Sequence, residues 1–245
     1  MVRDFILNAH DQTRLADGRP VYDGYFPVQT AVGSAPSPIP DLDVPVLEVM
    51  GESEVIRTFQ RGFDELGYRR PDSGSYRLYE VAGQPHLTSR PPALAVPYIC
   101  VEPVRSMFPQ RHLWSMALAN LLNWVDSGAE PPTAERIQLA PDGRTIVRDE
   151  HGNAIGGVRS TYLDVPIATY GAVSTNAPET PPGSRCDFLG FQVDFTHEKL
   201  GGLYGTHGRY VRAVSDRLHD LVRDNLYLSR DAQETLDEAV HADVP

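Results

Sequence analysis

Apolar and polar residues follow helical and strand spacings in turn along the first half of the chain. A spacing of about 3.6 residues between apolar positions predicts helices at 2–9, 55–66 and 109–127. A nearly continuous apolar run predicts a buried strand at 44–50, and further short strands are expected at 25–32 and 77–81. Because strands buried on both faces are typical of a parallel sheet flanked by helices, this alternation predicts an α/β fold.

The second half of the chain has a different pattern. Apolar runs around a turn sequence predict a hairpin at 136–148, and a further turn at 149–153 follows it. An extended segment is expected at 158–170, ahead of a proline-rich loop. The remaining tail is helical, with one amphipathic helix around 210–221 and a second that has Ser229 as its predicted N-cap. We expect this tail to pack against the rest of the chain.

The composition narrows the class of protein. Of 245 residues, 41% are hydrophobic and 22% are charged, which is typical of a globular domain. The formal net charge of −11 would repel nucleic acid. No apolar stretch approaches the ~20 residues that span a bilayer, and early aspartates interrupt any secretory signal. We therefore expect a soluble protein, cytoplasmic by default, whose compartment and oligomeric state the sequence leaves unknown.

Neither the cysteines nor the histidines show the spacing of a metal site. Cys100 and Cys186 are the only two cysteines, and they can form one disulfide or none, which the sequence leaves open. The histidines lack a ligand spacing such as H-E-x-x-H, and the acidic turn at 149–153 lacks the calcium-loop spacing. We predict no metal and no cofactor.

Acidic residues and a histidine follow two neighbouring predicted strands. Glu52 and Glu54 come directly after the strand at 44–50, and His86 comes after the strand at 77–81. In open α/β sheets the reactive side chains gather at the carboxyl ends of the strands, where a carboxylate can orient a histidine. Either glutamate could instead be a solvated carboxylate at the start of the next helix, where the helix dipole favours it.

Four stretches of the chain resemble the carboxyl-terminal part of a bacterial family of alpha/beta hydrolase domain proteins. The resemblance covers most of the chain and rests on the order of the stretches more than on any one of them. The stretches contain Asp23-Gly24-Tyr25-Phe26-Pro27, Val49-Met50-Gly51-Glu52-Ser53-Glu54, Val81-Ala82-Gly83-Gln84-Pro85-His86 and Asp149-Glu150-His151-Gly152-Asn153.

The resemblance implies a serine hydrolase that acts on a small carboxylic ester through an acyl-serine intermediate. Glu54 would be the catalytic acid, because it stands three residues after a glycine, where similar hydrolases carry Asp or Glu; Glu52 is the alternative. His86 would act as general base and then as general acid. The resemblance also divides the chain into 1–128, the carboxyl-terminal part of the hydrolase domain, 129–192, a hairpin and loop extension, and 193–245, a helical tail.

The nucleophile of such a hydrolase is not apparent in the chain. Ser34 and Ser37 precede the acid but lie in a proline-rich loop, without the strand–turn–helix setting of a G-x-S-x-G elbow. The first helix already runs at Met1 without a capping residue, so we expect the elbow to lie upstream of this chain, which alone would be inactive and would expose a sheet edge. The alternatives are a genuine amino-terminal helix and a non-catalytic binding domain in which Glu54 and His86 are incidental.

Overall fold

Two parallel strands form the centre of the molecule. The computed structural model describes residues 2–30, 37–90, 99–102 and 105–245. In it, β1 (Val46–Gly51) pairs with β2 (Tyr76–Val81), and every residue of both strands is buried. Both predicted strands, and their parallel arrangement, are confirmed. Their register places Gly51 opposite Val81, so the two strands end at the same edge of the sheet.

Isolated bridges extend this sheet on both sides. Tyr25 and Val28 make parallel bridges to β1, and Val158 makes one to β2. The strand predicted at 25–32 is therefore reduced to single bridges over its described part. Two features interrupt the ladder there: Pro27 has no N–H group to donate, and Gln29 has a positive φ of 52°.

The three helices predicted in the first half of the chain are present, and the bounds of one differ from the prediction. α1 (Val2–Asn8) and α3 (Gln110–Ser127) lie as predicted, and Gly128 ends α3 with a left-handed φ of 75°. α2 spans Glu52–Gln60 instead of 55–66. It begins earlier because the Glu54 side chain caps the backbone N–H of Gly51, and it ends before Gly62, whose φ is 86°.

The segment predicted to be extended at 158–170 is only partly so. A short helix, α4 (Thr161–Asp164), forms first, because the carbonyl of Ser160 accepts hydrogen bonds from two residues of this turn. β3 (Ala168–Gly171) then pairs antiparallel with β4 (Phe191–Asp194). In the predicted hairpin, isolated antiparallel bridges join Leu139 to Ile146 and Arg148 to Ala154.

Three helices form the carboxyl-terminal tail. They are α5 (His197–Tyr204), α6 (His207–Arg223) and α7 (Ser229–Val240). The N-cap of α7 is Leu228, so the prediction of Ser229 as N-cap is wrong by one residue. Buried side chains of the tail belong to the same hydrophobic cluster as β1 and β2. No helix in the described ranges is long and apolar enough to cross a membrane.

A disulfide bond joins the two cysteines. Cys100 and Cys186 are bonded, with their Cα atoms 5.8 Å apart, which answers the question that the sequence left open. Cys186 begins a short 3₁₀ helix, Cys186–Phe188, which packs near the carboxyl ends of β1 and β2 through Phe188. The disulfide therefore fixes a segment that borders these strand ends.

Candidate active site

Glu54 and His86 meet at the carboxyl ends of the two central strands. The Oε1 atom of Glu54 lies 2.7 Å from Nδ1 of His86. Glu54 is fully buried, whereas the His86 side chain keeps 27% of its surface exposed. Because a carboxylate only accepts hydrogen bonds, Nδ1 of His86 carries the proton of this bond. In a neutral imidazole the lone pair is then on Nε2, the nitrogen that a general base uses.

The second oxygen of Glu54 accepts hydrogen bonds from residues at the amino-terminal end of α2. Oε2 accepts hydrogen bonds from the Gly51 N–H at 3.0 Å and from the Ser53 hydroxyl at 2.9 Å. A Cβ atom on Gly51 would lie only 2.8 Å from the Gln84 carbonyl and 2.9 Å from Oε2. A glycine is therefore required at the end of β1, and Oε1 is left to face His86.

Glu52, the alternative acid, points to different partners. Its Oε2 atom accepts the Gly83 N–H at 2.7 Å, and its Oε1 atom pairs with Arg148 at 2.8 Å. Gly83 has a left-handed φ of 75°, and a Cβ there would meet Leu163 at 2.8 Å. The Glu52 carboxylate thus fastens the turn that leads from β2 to His86, and it makes no hydrogen bond to the imidazole.

Two glutamines from distant segments fix the backbone beside His86. The Pro85 carbonyl accepts hydrogen bonds from Nε2 of Gln29 at 2.9 Å and from Nε2 of Gln110 at 2.8 Å. Gln29 adopts its positive φ at this point, a conformation that costs a side-chain-bearing residue about 1 kcal/mol or more. Neither glutamine could be identified from the sequence, because only the folded chain brings them to Pro85.

An aromatic ring packs against the imidazole, and two arginines pack against that ring. The Phe188 ring lies 4.8 Å from the His86 ring, between centroids. The guanidinium groups of Arg57 and Arg185 lie 3.9 Å and 4.2 Å from the Phe188 centroid. Arg57 also approaches Oε1 of Glu54 at 3.7 Å, which brings a positive charge to the buried carboxylate.

Asp187 completes this group of charges. Hydrogen bonding from Arg185, with the positive charges of Arg185 and Arg57, lowers the pKa of Asp187 below its usual range. Burial lowers the pKa of Arg57, opposed by the negative charges of Glu54 and Asp187. The ion pair of Arg57 with Asp187, at 3.2 Å, therefore connects α2 to the 3₁₀ helix that carries Phe188.

The sequence profile of the alpha/beta hydrolase domain matches residues 1–237. The chain belongs to the alpha/beta hydrolase domain family. No curated protein and no solved structure matches the chain. The family membership confirms the predicted α/β fold class and the predicted resemblance to alpha/beta hydrolase domain proteins. Glu54 and His86 lie at the carboxyl ends of the two parallel strands, the edge where the binding sites of open α/β sheets form.

Within the described residues of this alpha/beta hydrolase domain, no nucleophile is hydrogen-bonded to His86. In that part of the chain, no hydroxyl or thiol hydrogen-bonds to the imidazole, and both cysteines are in the disulfide. Ser37 is an exposed loop residue whose carbonyl accepts a hydrogen bond from Arg3, and Ser34 lies outside the described residues. Among the described residues, the one group of His, Cys, Asp and Glu side chains close enough together to hold a metal ion lies between α3 and α7, away from Glu54.

Replacing Glu52 by alanine is expected to destabilise the fold by about 2–3 kcal/mol. The change leaves the buried Gly83 N–H without its acceptor and Arg148 without its carboxylate. The measurement is urea denaturation. Glu150→Ala is the matched control, because Glu150 is an exposed carboxylate close in sequence to Arg148, the partner of Glu52. If both variants unfold at the same urea concentration as the unmodified protein, the structural role given to Glu52 is wrong.

Proposed function

We propose that this alpha/beta hydrolase domain supplies the acid, Glu54, and the histidine, His86, of a Ser-His-acid hydrolase that cleaves small carboxylic esters. The observation that carries the proposal is the 2.7 Å contact between a fully buried carboxylate and Nδ1 of a partly exposed imidazole. This is the arrangement that fixes the histidine tautomer and stabilises its charged form during acyl transfer.

The proposed reaction has two halves. Nε2 of His86 takes the proton from a serine hydroxyl while the oxygen attacks the ester carbonyl, and the resulting imidazolium gives that proton to the departing alcohol. An acyl-serine remains. Water then attacks this intermediate, with His86 again accepting a proton and returning it to the serine oxygen as the acid is released. Glu54 stays ionised throughout and holds the ring in place, and no step requires a cofactor.

We further propose that the serine belongs to a segment outside the described residues and is missing from this chain. The sheet has room for such a segment beside Tyr25–Val28, because the N–H groups of Phe26 and Val28 bond to no acceptor within the described residues. A parallel strand added there would end at the same edge as β1. In alpha/beta hydrolases the serine stands on the turn that follows such a strand.

The apolar surface beside this edge also favours an added strand. Val2 and Tyr22 are 41% and 50% exposed, and with Phe5, Tyr25 and Phe26 they line an open cavity of about 440 Å³. Exposed apolar surface next to unpaired backbone groups is typically covered by another chain segment. These features support the proposal without identifying the segment.

The proposal is tested by reading the DNA upstream of the Met1 codon and by an ester-hydrolysis assay. We expect an in-frame G-x-S-x-G after an apolar strand, and we expect the version extended by that segment to hydrolyse a p-nitrophenyl ester. The chain of 245 residues should give only the background rate. A stop codon directly upstream, or equal hydrolysis by both versions, would contradict the proposal.

Replacing Glu54 by glutamine should lower kcat of the extended version by about 10²- to 10⁴-fold, because the imidazolium loses its compensating charge. The KM should change little, since Glu54 is buried and does not face the substrate.

The second candidate function is a non-catalytic binding domain, in which Glu54 only caps α2 through its bonds to Gly51 and Ser53. In that case the extended version would show no esterase activity for the substitution to reduce, and Glu54→Gln would affect stability alone. Steady-state kinetics together with thermal unfolding of the same variant distinguish the two functions.

A further inference from the structure

A second cluster of ionisable side chains lies between α3 and α7. His112 comes from α3, and Asp231 and Glu234 come from the first turns of α7. One ligand atom of each residue lies within 4.8 Å of the others. His112 is 1% exposed and Asp231 is 9% exposed, so two of the three groups are buried. The mechanism proposed for Glu54 and His86 makes no use of them.

A chain of hydrogen bonds determines which nitrogen of His112 carries the proton. The Thr235 hydroxyl donates to the Asp231 carbonyl at 3.0 Å, because a carbonyl can only accept. Thr235 must then accept from the Tyr227 hydroxyl at 3.0 Å, and Tyr227 must accept from Nδ1 of His112 at 2.7 Å. The proton is therefore on Nδ1, and Nε2 of a neutral His112 presents a lone pair to the carboxylates.

Each member of the cluster has one polar atom without a hydrogen-bond partner among the described residues. Among the described residues, neither Nε2 of His112 nor Oδ2 of Asp231 has such a partner, and both atoms are buried. Oε2 of Glu234 lies 3.5 Å from Nε2. Lone pairs crowded together in a partly buried cluster are unfavourable without a positive charge between them, and a metal-bound histidine usually donates its other ring N–H as His112 does.

We propose that His112, Asp231 and Glu234 bind one divalent cation of the zinc type, through Nε2, Oδ2 and Oε2. One imidazole nitrogen with two carboxylate oxygens suits Zn²⁺ better than Ca²⁺ or Mg²⁺, which prefer oxygen ligands alone. The cation would join α3 to α7. Because α7 also holds Arg90, just beyond His86, through Glu238, the site would fix the tail against the loop that carries the histidine.

Three arginines oppose a cation at this position and limit its affinity. Arg90 and Arg111 pair with Oε1 of Glu234, and Arg230 lies 3.4 Å from Oδ1 of Asp231. Each arginine contacts the carboxylate oxygen that is not proposed as a ligand. The arrangement therefore leaves the inner oxygens available, while the positive charges favour moderate rather than very tight binding.

The proposal is tested by isothermal titration of ZnCl₂ into the whole protein after treatment with a chelator. We expect one saturable site, with affinity at least about tenfold weaker in Asp231→Asn and in Glu234→Gln. Glu238→Gln is the matched control: it removes a carboxylate one turn further along α7 that also pairs with Arg90, and it should bind Zn²⁺ within about threefold of the unmodified protein. Zn²⁺ should also raise the melting temperature of the unmodified protein and of the control.

Two results would overturn the zinc site. One is the absence of a saturable site in the unmodified protein. The other is binding that survives unchanged in both ligand variants, which would place the ion elsewhere. Far-ultraviolet circular dichroism checks that the variants fold. Glu234 is 41% exposed at its side chain, so Glu234→Gln decides the question if the buried Asp231→Asn does not fold.

Discussion

Replacing His86 by alanine is expected to lower kcat/KM for an ester by about 10³-fold or more in a version of the protein that contains the nucleophile. Without the imidazole, no described group accepts the serine proton, and the Glu54 carboxylate loses its 2.7 Å partner. The loss should appear mainly in kcat, because the imidazole acts on the transition state. The measurement is steady-state hydrolysis of a p-nitrophenyl ester by the two purified proteins.

A second histidine–carboxylate pair provides the control for this prediction. Nε2 of His197 lies 3.1 Å from Asp243, but the His197 side chain is 65% exposed and lies at the start of α5. His197→Ala should leave kcat/KM within about twofold, since it removes a surface pair of little energetic value. Equal activities for His86→Ala and the unmodified protein would rule out the proposed role of His86.

Replacing both Cys100 and Cys186 by serine is expected to lower the free energy of unfolding by about 2–5 kcal/mol. The disulfide closes a loop over a sequence separation of 86 residues, and a long closed loop restricts the unfolded chain strongly. The measurement is urea denaturation with and without a reducing agent. The reductant should lower the free energy of unfolding of the unmodified protein and leave that of the double serine variant unchanged.

The same substitution should also affect the candidate active site. Cys186 begins the 3₁₀ helix whose Phe188 ring packs on His86, and the Leu87 N–H donates to the Phe188 carbonyl at 2.8 Å. Loosening that helix is therefore expected to reduce the activity of the extended version. A free energy of unfolding that does not change in the double variant would show that the bond contributes nothing to stability. Because cytoplasmic thiols are kept reduced, thiol titration of the isolated protein also tests the compartment.

The strands and their polarity could be predicted because they depend on short-range patterns. β1 and β2 are short, mostly apolar segments of the length that a buried strand needs. Glu52 and Glu54 follow β1 at once, and His86 follows β2 after the turn Ala82-Gly83-Gln84-Pro85. Parallel strands end at one edge, so the placement of Glu52, Glu54 and His86 at that edge follows from the order of the elements.

The choice between the two glutamates depends on helix geometry that the sequence did not determine. Glu52 and Glu54 both lie in the first turn of α2, and residues two positions apart point about 200° away from each other around a helix. Once α2 begins at Glu52 rather than at 55, Glu54 faces His86 and Glu52 faces Gly83. The predicted helix start was three residues late, so this orientation could not be deduced.

The support around the site comes from contacts between residues that are far apart in the chain. Gln29 and Gln110 reach Pro85, and Phe188 reaches His86, only after the loops have folded. The proposed cation site has the same character. His112 and Asp231 lie on different helices, and no local spacing of the kind found in H-E-x-x-H relates them. Motif-based analysis detects ligands that share one helix, so it could not find this cluster.

Reaction with a serine-directed phosphonate, followed by mass spectrometry of the modified peptide, is the most direct test of the account. In the extended version, the account predicts an adduct on a serine outside the 245 residues, formed at least about 100-fold faster than in His86→Ala. The chain of 245 residues alone should remain unlabelled. An adduct on a serine within this chain, or labelling at the same rate without His86, would contradict it.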